Sequence, residues 1–444
     1  MPMSRESLKQ EVAFSGRRAA YLDAMNAESP SAVAVLTAAP VTLRNNDVEH
    51  DYRQASDFYY LTGFVEPESV LVLDANTRTT TLFVRPRDPA REVWVGPRAG
   101  VEGAKDAFGV DEAFPIAEFD ERLVGALSDR KRLYYALGSD RTFDDRVLSA
   151  ISRVRSRHRA GMRAPSEIVE PGAILHEMRL RKSPGELDRM RAAARITKEG
   201  HEEAMRRARP GMGEYEVEAL LFESFRGKGA ERLAYPTIVG SGPNACTLHH
   251  TRNDRLIQDG DLVLIDAGCE FEYYASDVTR TFPVGRDFSR EQQAIYELVL
   301  EAQLEAIGAS RSGASLRYVH EAAVKVLVHG LIRFGLLSGT VEEVIAAEGY
   351  KRFYMHRTSH WLGMDVHDVG SYNEEGKPRL LEPGMVLTVE PGVYISPQDD
   401  TVPPEWRGIG VRIEDDVAIT QDGVEVLTAG IPKTPDELRH AQRG

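Results

Sequence analysis

Chemistry could first be built in this sequence at two acidic residues, Asp266 and Asp277. Leu262 to Ile265 is a short apolar run of mostly branched residues, bounded by Asp259-Gly260 and by Gly268. That is the pattern of a buried strand. The run ends on Asp266, and a carboxylate at the end of a buried strand is costly unless something pairs with it. Asp277 follows inside a second β-prone piece, Tyr273 to Phe282, and a tight return brings the two acids side by side. Close carboxylates repel, so either one is protonated or both hold a cation.

Further along, the chain offers the same device again. Asp261 to Gly268, DLVLIDAG, aligns with Met385 to Gly392, MVLTVEPG, so that Glu390 stands where Asp266 does. Glu414, within Gly410–Ile419, is the partner of Asp277. Upstream of these, GMGEYEVEAL from Gly211 and GASLRYVHEA from Gly313 each open an amphipathic helix after a glycine turn. The matched order predicts an internal repeat whose halves each donate two strand-borne carboxylates to one central site. The segment Met355 to His367 adds His356, His360 and His367. Four carboxylates and an imidazole suit two divalent cations, because carboxylates bridge and neutralise the metal charge while imidazole supplies a borderline ligand. Competing motifs are missing: there is no HExxH, GxSxG or GxxxxGK[ST]. Gly240 to Ala245, GSGPNA, mimics a dinucleotide fingerprint, but Pro243 and the run from Cys246 to His250 do not open a helix, so it reads as a turn.

These residues need a frame. At 444 residues the chain is too long for one ordinary core, and two domains are expected. Strand-like runs at Val33–Leu36, Ser69–Leu73 and Thr80–Val84 place an α/β domain over residues 1–175. Asp47 to Glu68 gathers Tyr52, Phe58, Tyr59, Tyr60 and Phe64, read as a core edge. Arg153, Arg155, Arg157, Arg159 and Arg163 read as a solvated face near a linker. Pro165 and Pro171-Gly172 mark the boundary, and residues 176–444 form the second domain. There Ser183-Pro184-Gly185-Glu186 is a capping-box start for a charged helix stopped by Arg209-Pro210-Gly211. A second helix covers Glu214 to Arg226. A net charge of −14 argues against nucleic acid as a partner. No window reaches the roughly 18 apolar residues of a membrane span. Only two cysteines, Cys246 and Cys269, point to a reducing cytoplasm.

Five stretches carry a resemblance: SGPNACTLHHT (Ser241–Thr251), DAGCEFEYYASDVTRTFPV (Asp266–Val284), HRTSHWLGMDVHDVG (His356–Gly370), EPGMVLTVEPGVYI (Glu382–Ile395) and GVRIEDDV (Gly410–Val417). With the first-domain segment DYRQASDFYYLTGFVEPE, the chain resembles the dinuclear metallopeptidases of the pita-bread fold, and among them the aminopeptidase P family. The resemblance implies an α/β (α+β) protein, with an N-terminal α/β domain before a pita-bread catalytic domain of pseudo-two-fold repeat. It implies release of the N-terminal residue from peptides with proline in second place, by attack of a hydroxide bridging two metals. Asp266, Asp277, His360, Glu390 and Glu414 would be the ligands, with Asp277 and Glu414 bridging. Glu390 would act as general base, and His367 and His249 would face the substrate. His356 and Arg412 would lie in the outer shell, and Tyr394 would be a pocket residue near the substrate. The metals implied are Mn²⁺, or Co²⁺ or Zn²⁺. The family also implies a homodimer or homotetramer, with Asp47 and Trp94 of the first domain reaching a neighbouring subunit's site. A prolidase shares the ligand set and is the alternative. A non-catalytic peptide-binding module on the same fold is a more distant one, and such relatives usually lose ligands that are all present here.

Overall fold

The computed structural model describes residues 14–443, and the chain divides into two compact units, one up to Met178 and the other from Arg179. The first unit is built on a six-stranded sheet. Its strands are β1 (Ala32–Thr37), β2 (Val70–Asp74), β3 (Thr79–Val84), β4 (Glu112–Pro115), β5 (Arg132–Tyr134) and β6 (Glu167–Val169), in the order β4-β3-β2-β1-β5-β6. β1 is buried along nearly its whole length, which is why it reads as a continuous apolar run and not as an alternating one. One face of the sheet packs on α1 (Phe119–Leu127) and α2 (Arg141–Ser156). Phe119, Leu123 and Leu127, then Phe143, Val147, Ile151 and Val154, recur at helical spacing toward Val33, Val35, Val72 and Phe83. Phe58, Tyr60 and Phe64 are buried and Tyr52 and Tyr59 half-buried, so the aromatic segment is a core edge. The buried Gln54 fastens it, accepting from Ala39 N (2.8 Å) and donating to the Phe64 carbonyl (3.2 Å).

The second unit contains the repeat. α3 (Pro184–Arg207) and α4 (Glu214–Gly227) precede a three-stranded antiparallel sheet of β7 (Ile238–Ser241), β8 (Leu262–Asp266) and β11 (Thr279–Pro283). Between β8 and β11 runs a hairpin of β9 (Cys269–Phe271) and β10 (Tyr274–Ala275). The other half has α5 (Arg290–Ala309) and α6 (Leu316–Arg333), then β12 (Val386–Val389), β13 (Gly392–Tyr394), β14 (Gly410–Arg412), β15 (Asp415–Ile419) and β16 (Val424–Val426). β12, β15 and β16 form its own antiparallel sheet. The start of α3 is closed as the capping box predicts, with Ser183 N donating to the Glu186 carboxylate at 2.9 Å. The GSGPNA stretch becomes a short 3-10 turn over Gly242–Cys246, not the helix a dinucleotide site needs.

The two halves are sewn together where β11 meets β14. Glu414 N donates to the Thr279 carbonyl (3.0 Å), and Thr281 Oγ1 donates to the Arg412 carbonyl (3.0 Å). Behind this seam Arg280, fully buried, pairs with the equally buried Asp415 at 2.7 Å. Lys433 Nζ (2.6 Å) and Gln303 Nε2 (2.7 Å) donate to the other oxygen of Asp415. A buried pair survives only when its remaining valences are satisfied in this way.

The structure corrects one expectation. The sequence placed all four acids on strands, but only Asp266 lies in one, as the last residue of β8. Glu390 follows the end of β12, and Asp277 and Glu414 sit in the breaks just before β11 and β15. In an unbroken ladder, successive side chains alternate between faces, whereas a break lets a side chain turn toward the centre while its amide finds another partner. The Asp277 amide accordingly donates to the Asp416 carboxylate at 3.2 Å. The return from β8 needs Gly268, where an added Cβ would overlap the Ser276 carbonyl oxygen. The hairpin tip is Glu272-Tyr273, both left-handed (φ 48° and 69°), a conformation usually left to Asn or Gly.

Gly268→Ala is expected to destabilise the second unit by about 2–3 kcal/mol, because the overlap is with backbone that cannot step aside. Thermal unfolding of purified protein checks this; an unchanged melting temperature would show that the return is not tight. A second expectation concerns His201 on α3, which is fully buried and bonded through Nε2 to the Ala267 carbonyl (2.9 Å). Burial pushes it down to about 4 from an ordinary 6.5. The unfolded chain therefore takes up a proton between pH 6.5 and 4 that the folded chain refuses, and stability falls as pH drops through that window. His201→Gln should flatten this part of the stability–pH curve measured by denaturant unfolding.

Candidate metal centre

Asp277, His360 and Glu414 each present a ligand atom within 4.8 Å of the others. His360 Nε2 lies 3.3 Å from Asp277 Oδ2 and 3.6 Å from Glu390 Oε1. Its Nδ1 is 2.9 Å from the Trp361 carbonyl, so Nδ1 carries a proton whether the ring is neutral or charged, and Nε2 faces the acids. Asp266 closes the group from the other half. Tyr235 donates to its Oδ1 (2.7 Å) and Arg412 Nη2 to its Oδ2 (2.6 Å). Thr279 Oγ1 donates to Glu414 Oε2 at 2.6 Å, and the Thr388 hydroxyl lies 3.4 Å from Glu390 Oε1.

The electrostatics say what is needed at the centre. Burial raises the carboxyl of Asp266 despite the Arg412 charge beside it. Glu390 is pushed up to about 7 by burial, against the pull of His360 and Arg412. Glu414 stands well above the ordinary carboxylate range through burial and the neighbouring Asp277 and Glu390. His360 goes up to about 9, because its contacts with Asp277 and Glu390 outweigh burial. Burial drives the three carboxyl shifts and the surrounding acids drive that of His360, and the four carboxylates together leave an excess of buried negative charge. One imidazole and one guanidinium do not balance it, and divalent cations do. The donor set, oxygen-rich with one nitrogen, fits that role.

A cavity of about 890 Å³ opens on this centre and is lined by all five of these side chains together with His249, His356 and His367. The His367 ring stands edge-on to His360, with centroids 4.5 Å apart. The His356 Nε2 is 2.8 Å from the Tyr394 hydroxyl, which accepts from Arg412 Nη1 at 3.0 Å. A chain of hydrogen bonds thus runs from His356 through Tyr394 and Arg412 to Asp266 and on to Tyr235. Burial and the Arg412 charge keep His356 neutral, down to about 3. Tyr394, expected near the substrate, does not line the cavity. It is 2% exposed on β13, beneath the wall, where its hydroxyl is committed to its two partners. Asp47 and Trp94 are exposed residues of the first unit.

Residues 188–421 match metallopeptidase family M24, and residues 14–134 match the N-terminal domain of aminopeptidase P. The Xaa-Pro aminopeptidase of Escherichia coli is 46% identical over 96% of both chains. The chain belongs to the aminopeptidase P family of M24 metallopeptidases. Among solved members, aminopeptidase PepP of Pseudomonas aeruginosa superposes with a TM-score of 0.94 at 52% identity, covering 97% of each chain. A zinc-substituted Escherichia coli aminopeptidase P, solved with product, gives a TM-score of 0.94 at 44% identity, covering 100% of this chain and 99% of that one. The two-half architecture is therefore the pita-bread fold, and an M24 centre of this composition holds divalent metal ions.

Reading the sequence of this aminopeptidase P family member missed three supporting side chains: Tyr235, Thr279 and Thr388. Thr279 could have been found, since Thr279 and Thr281 alternate along β11 and both turn to the seam. Tyr235 carries no such signal, being a lone tyrosine before Pro236 in a loop.

Asp266→Asn should lower bound metal and activity together, whereas His367→Ala should cut turnover about 100-fold or more with metal nearly intact. Metal analysis alongside initial rates distinguishes them. Full activity without metal in the first variant, or metal loss in the second, would show that the ligands are misassigned.

Proposed function

We propose that this protein is a metal-dependent aminopeptidase that releases the first residue of peptides with proline in second place, Xaa-Pro-Yaa. The observation that carries this is the intact five-ligand centre opening into one cavity with His249, His356 and His367, in a chain 46% identical to a named Xaa-Pro aminopeptidase. Bound divalent ions would polarise the scissile carbonyl and make water a nucleophile near neutral pH. Mn²⁺ is the ion proposed for a centre of four carboxylates and one imidazole, ahead of Co²⁺ and Zn²⁺.

The remaining work falls to this chain's own groups. Glu390, on the wall of the cavity beside the other four ligands, would take a proton from the attacking water and return it to the departing proline nitrogen. Burial and the adjacent His360 lower His367, so a neutral imidazole N–H is available to the carbonyl oxygen as charge develops on it. An Xaa-Pro amide has no N–H, so a site that grips the bond through its carbonyl suits it. Leu248, Ile238 and Val366 give the cavity apolar wall for the proline ring. His249 positions the substrate or its leaving proline, and Arg412 holds the geometry of Asp266.

Assembly and location complete the reading. A homodimer or homotetramer is proposed from Val93, Trp94 and Val95, which stand 83%, 87% and 66% exposed in one run. A cytoplasmic location is proposed from the two unpaired cysteines, Cys246 and Cys269.

A panel of Xaa-Pro dipeptides and Xaa-Pro-Yaa tripeptides, assayed after chelation and after adding back Mn²⁺, Co²⁺ or Zn²⁺, tests the proposal. Cleavage of the tripeptides, lost on chelation and best restored by Mn²⁺, is the expected result. Cleavage of dipeptides alone would make the enzyme a prolidase, and no cleavage with any metal would leave a peptide-binding module.

A further inference from the structure

His249 faces the cavity but is exposed, and among the described residues no hydrogen bond holds its imidazole. A group meant to meet the substrate at a fixed point must then be located by the loop that carries it. That loop runs from β7 to Arg255; near its end the buried Asn253 accepts from Val239 N (2.9 Å) and donates to the Thr237 carbonyl (3.0 Å), and along the stretch that carries His249 it is fastened by the carboxylate of Glu214.

Glu214 is the first residue of α4 and is 0% exposed. Its Oε1 accepts from Ser241 N (2.7 Å), Ser241 Oγ (2.7 Å) and Asn244 Nδ2 (3.1 Å). Its Oε2 accepts from His250 Nε2 (2.9 Å) and Arg255 N (3.0 Å). The five donors span the loop from its first residue to its last, and one of them is the immediate neighbour of His249. Burial alone would raise this carboxyl, but the donors hold it below the ordinary range. The start of α4 adds the favourable end of a helix dipole. Glu214, His250 and Asp254 are close enough to suggest a cation. The lone pairs of Glu214 are already taken, however, and Asp254 is paired with Arg252 at 2.6 Å. The cluster is an anchor. On its other side the loop packs Ala245, Cys246 and Leu248 against Ile238, Leu264 and Tyr394.

We propose that Glu214 is a positioning residue for the reaction: by tying Ser241, Asn244, His250 and Arg255 to the head of α4, it sets where His249 meets the substrate. This rests on the role given to His249 in the proposed function. It predicts that removing the negative charge while keeping the shape loosens the loop without touching the metals.

The test is Glu214→Gln made in the wild type and in a His249→Ala background, with kcat, KM and metal content measured on one Xaa-Pro-Yaa peptide. Glu214→Gln should lower kcat roughly 10- to 100-fold, as misplacement of a substrate-facing group does, with KM and metal content nearly unchanged. In the His249→Ala background the same change should cost no more than about twofold, because the group it positions is already gone. Equal losses in both backgrounds, or wild-type kcat in Glu214→Gln, would overturn the proposal. Should Glu214→Gln fail to fold, His250→Ala and His250→Gln replace it. Loss in the alanine variant with recovery in the glutamine variant supports the anchor, and wild-type kcat in both overturns it. A wild type inactive on the peptide, or a His249→Ala variant as fast as wild type, strikes the functional reading and this proposal with it. Equal losses strike this proposal alone.

Discussion

Gathering four carboxylates at one buried point is the constraint around which the second unit is organised. Each ion withdrawn from water costs several kcal/mol unless compensated. Like charges a few ångströms apart add to that cost. The chain supplies only part of the answer from its own side chains. Arg412 reaches Asp266, His360 approaches Asp277 and Glu390, and the hydroxyls of Tyr235, Thr279 and Thr388 lie beside the remaining oxygens. What is left over is net negative, and burial makes three of the acids hold protons more tightly than carboxylates do in water. The surplus that makes the apo centre expensive is the same surplus that gives divalent cations their place.

The fold answers the geometric side of the problem by duplication. Each half brings one acid at the end of a strand and one just before the returning strand. The seam between β11 and β14 then sets the pair from one half against the pair from the other. Interruptions in the strands matter as much as the strands. A regular ladder sends alternate side chains to opposite faces, and the breaks before β11 and β15 free Asp277 and Glu414 to point inward. The backbone amide released at Asp277 is taken up by Asp416, itself tied to Ser276 Oγ at 2.9 Å. Gly268 allows the close return that makes the first of these breaks possible.

Much of this was legible in the residues. The apolar run into Asp266, its echo into Glu390 and the trio of histidines announced an oxygen-rich centre in a duplicated unit. The resemblance then fixed which imidazole belongs to it. The start of α3 was readable from Ser183 to Glu186 because a capping box is a local device. The exact lodging of Asp277 and Glu414 was not readable, because a strand and a strand briefly interrupted share one composition. Tyr394 was misjudged for a related reason. Sequence tells that a tyrosine is near the site but not on which side of the wall its hydroxyl finds partners. Tyr235 and Glu214 act through contacts with residues distant in the chain, and no local pattern reports those.

The seam has a consequence for the newly made chain. Asp266, Asp277 and Arg280 leave the ribosome well before Arg412, Glu414 and Asp415 are synthesised. The first half therefore emerges carrying two acids and a guanidinium whose charged partners do not yet exist, and none of the three can be buried at low cost without them. During synthesis that half must keep its inner face wet. Only arrival of the last strands, bringing Arg412 to Asp266 and Asp415 to Arg280, lets the interior dry and the centre take shape.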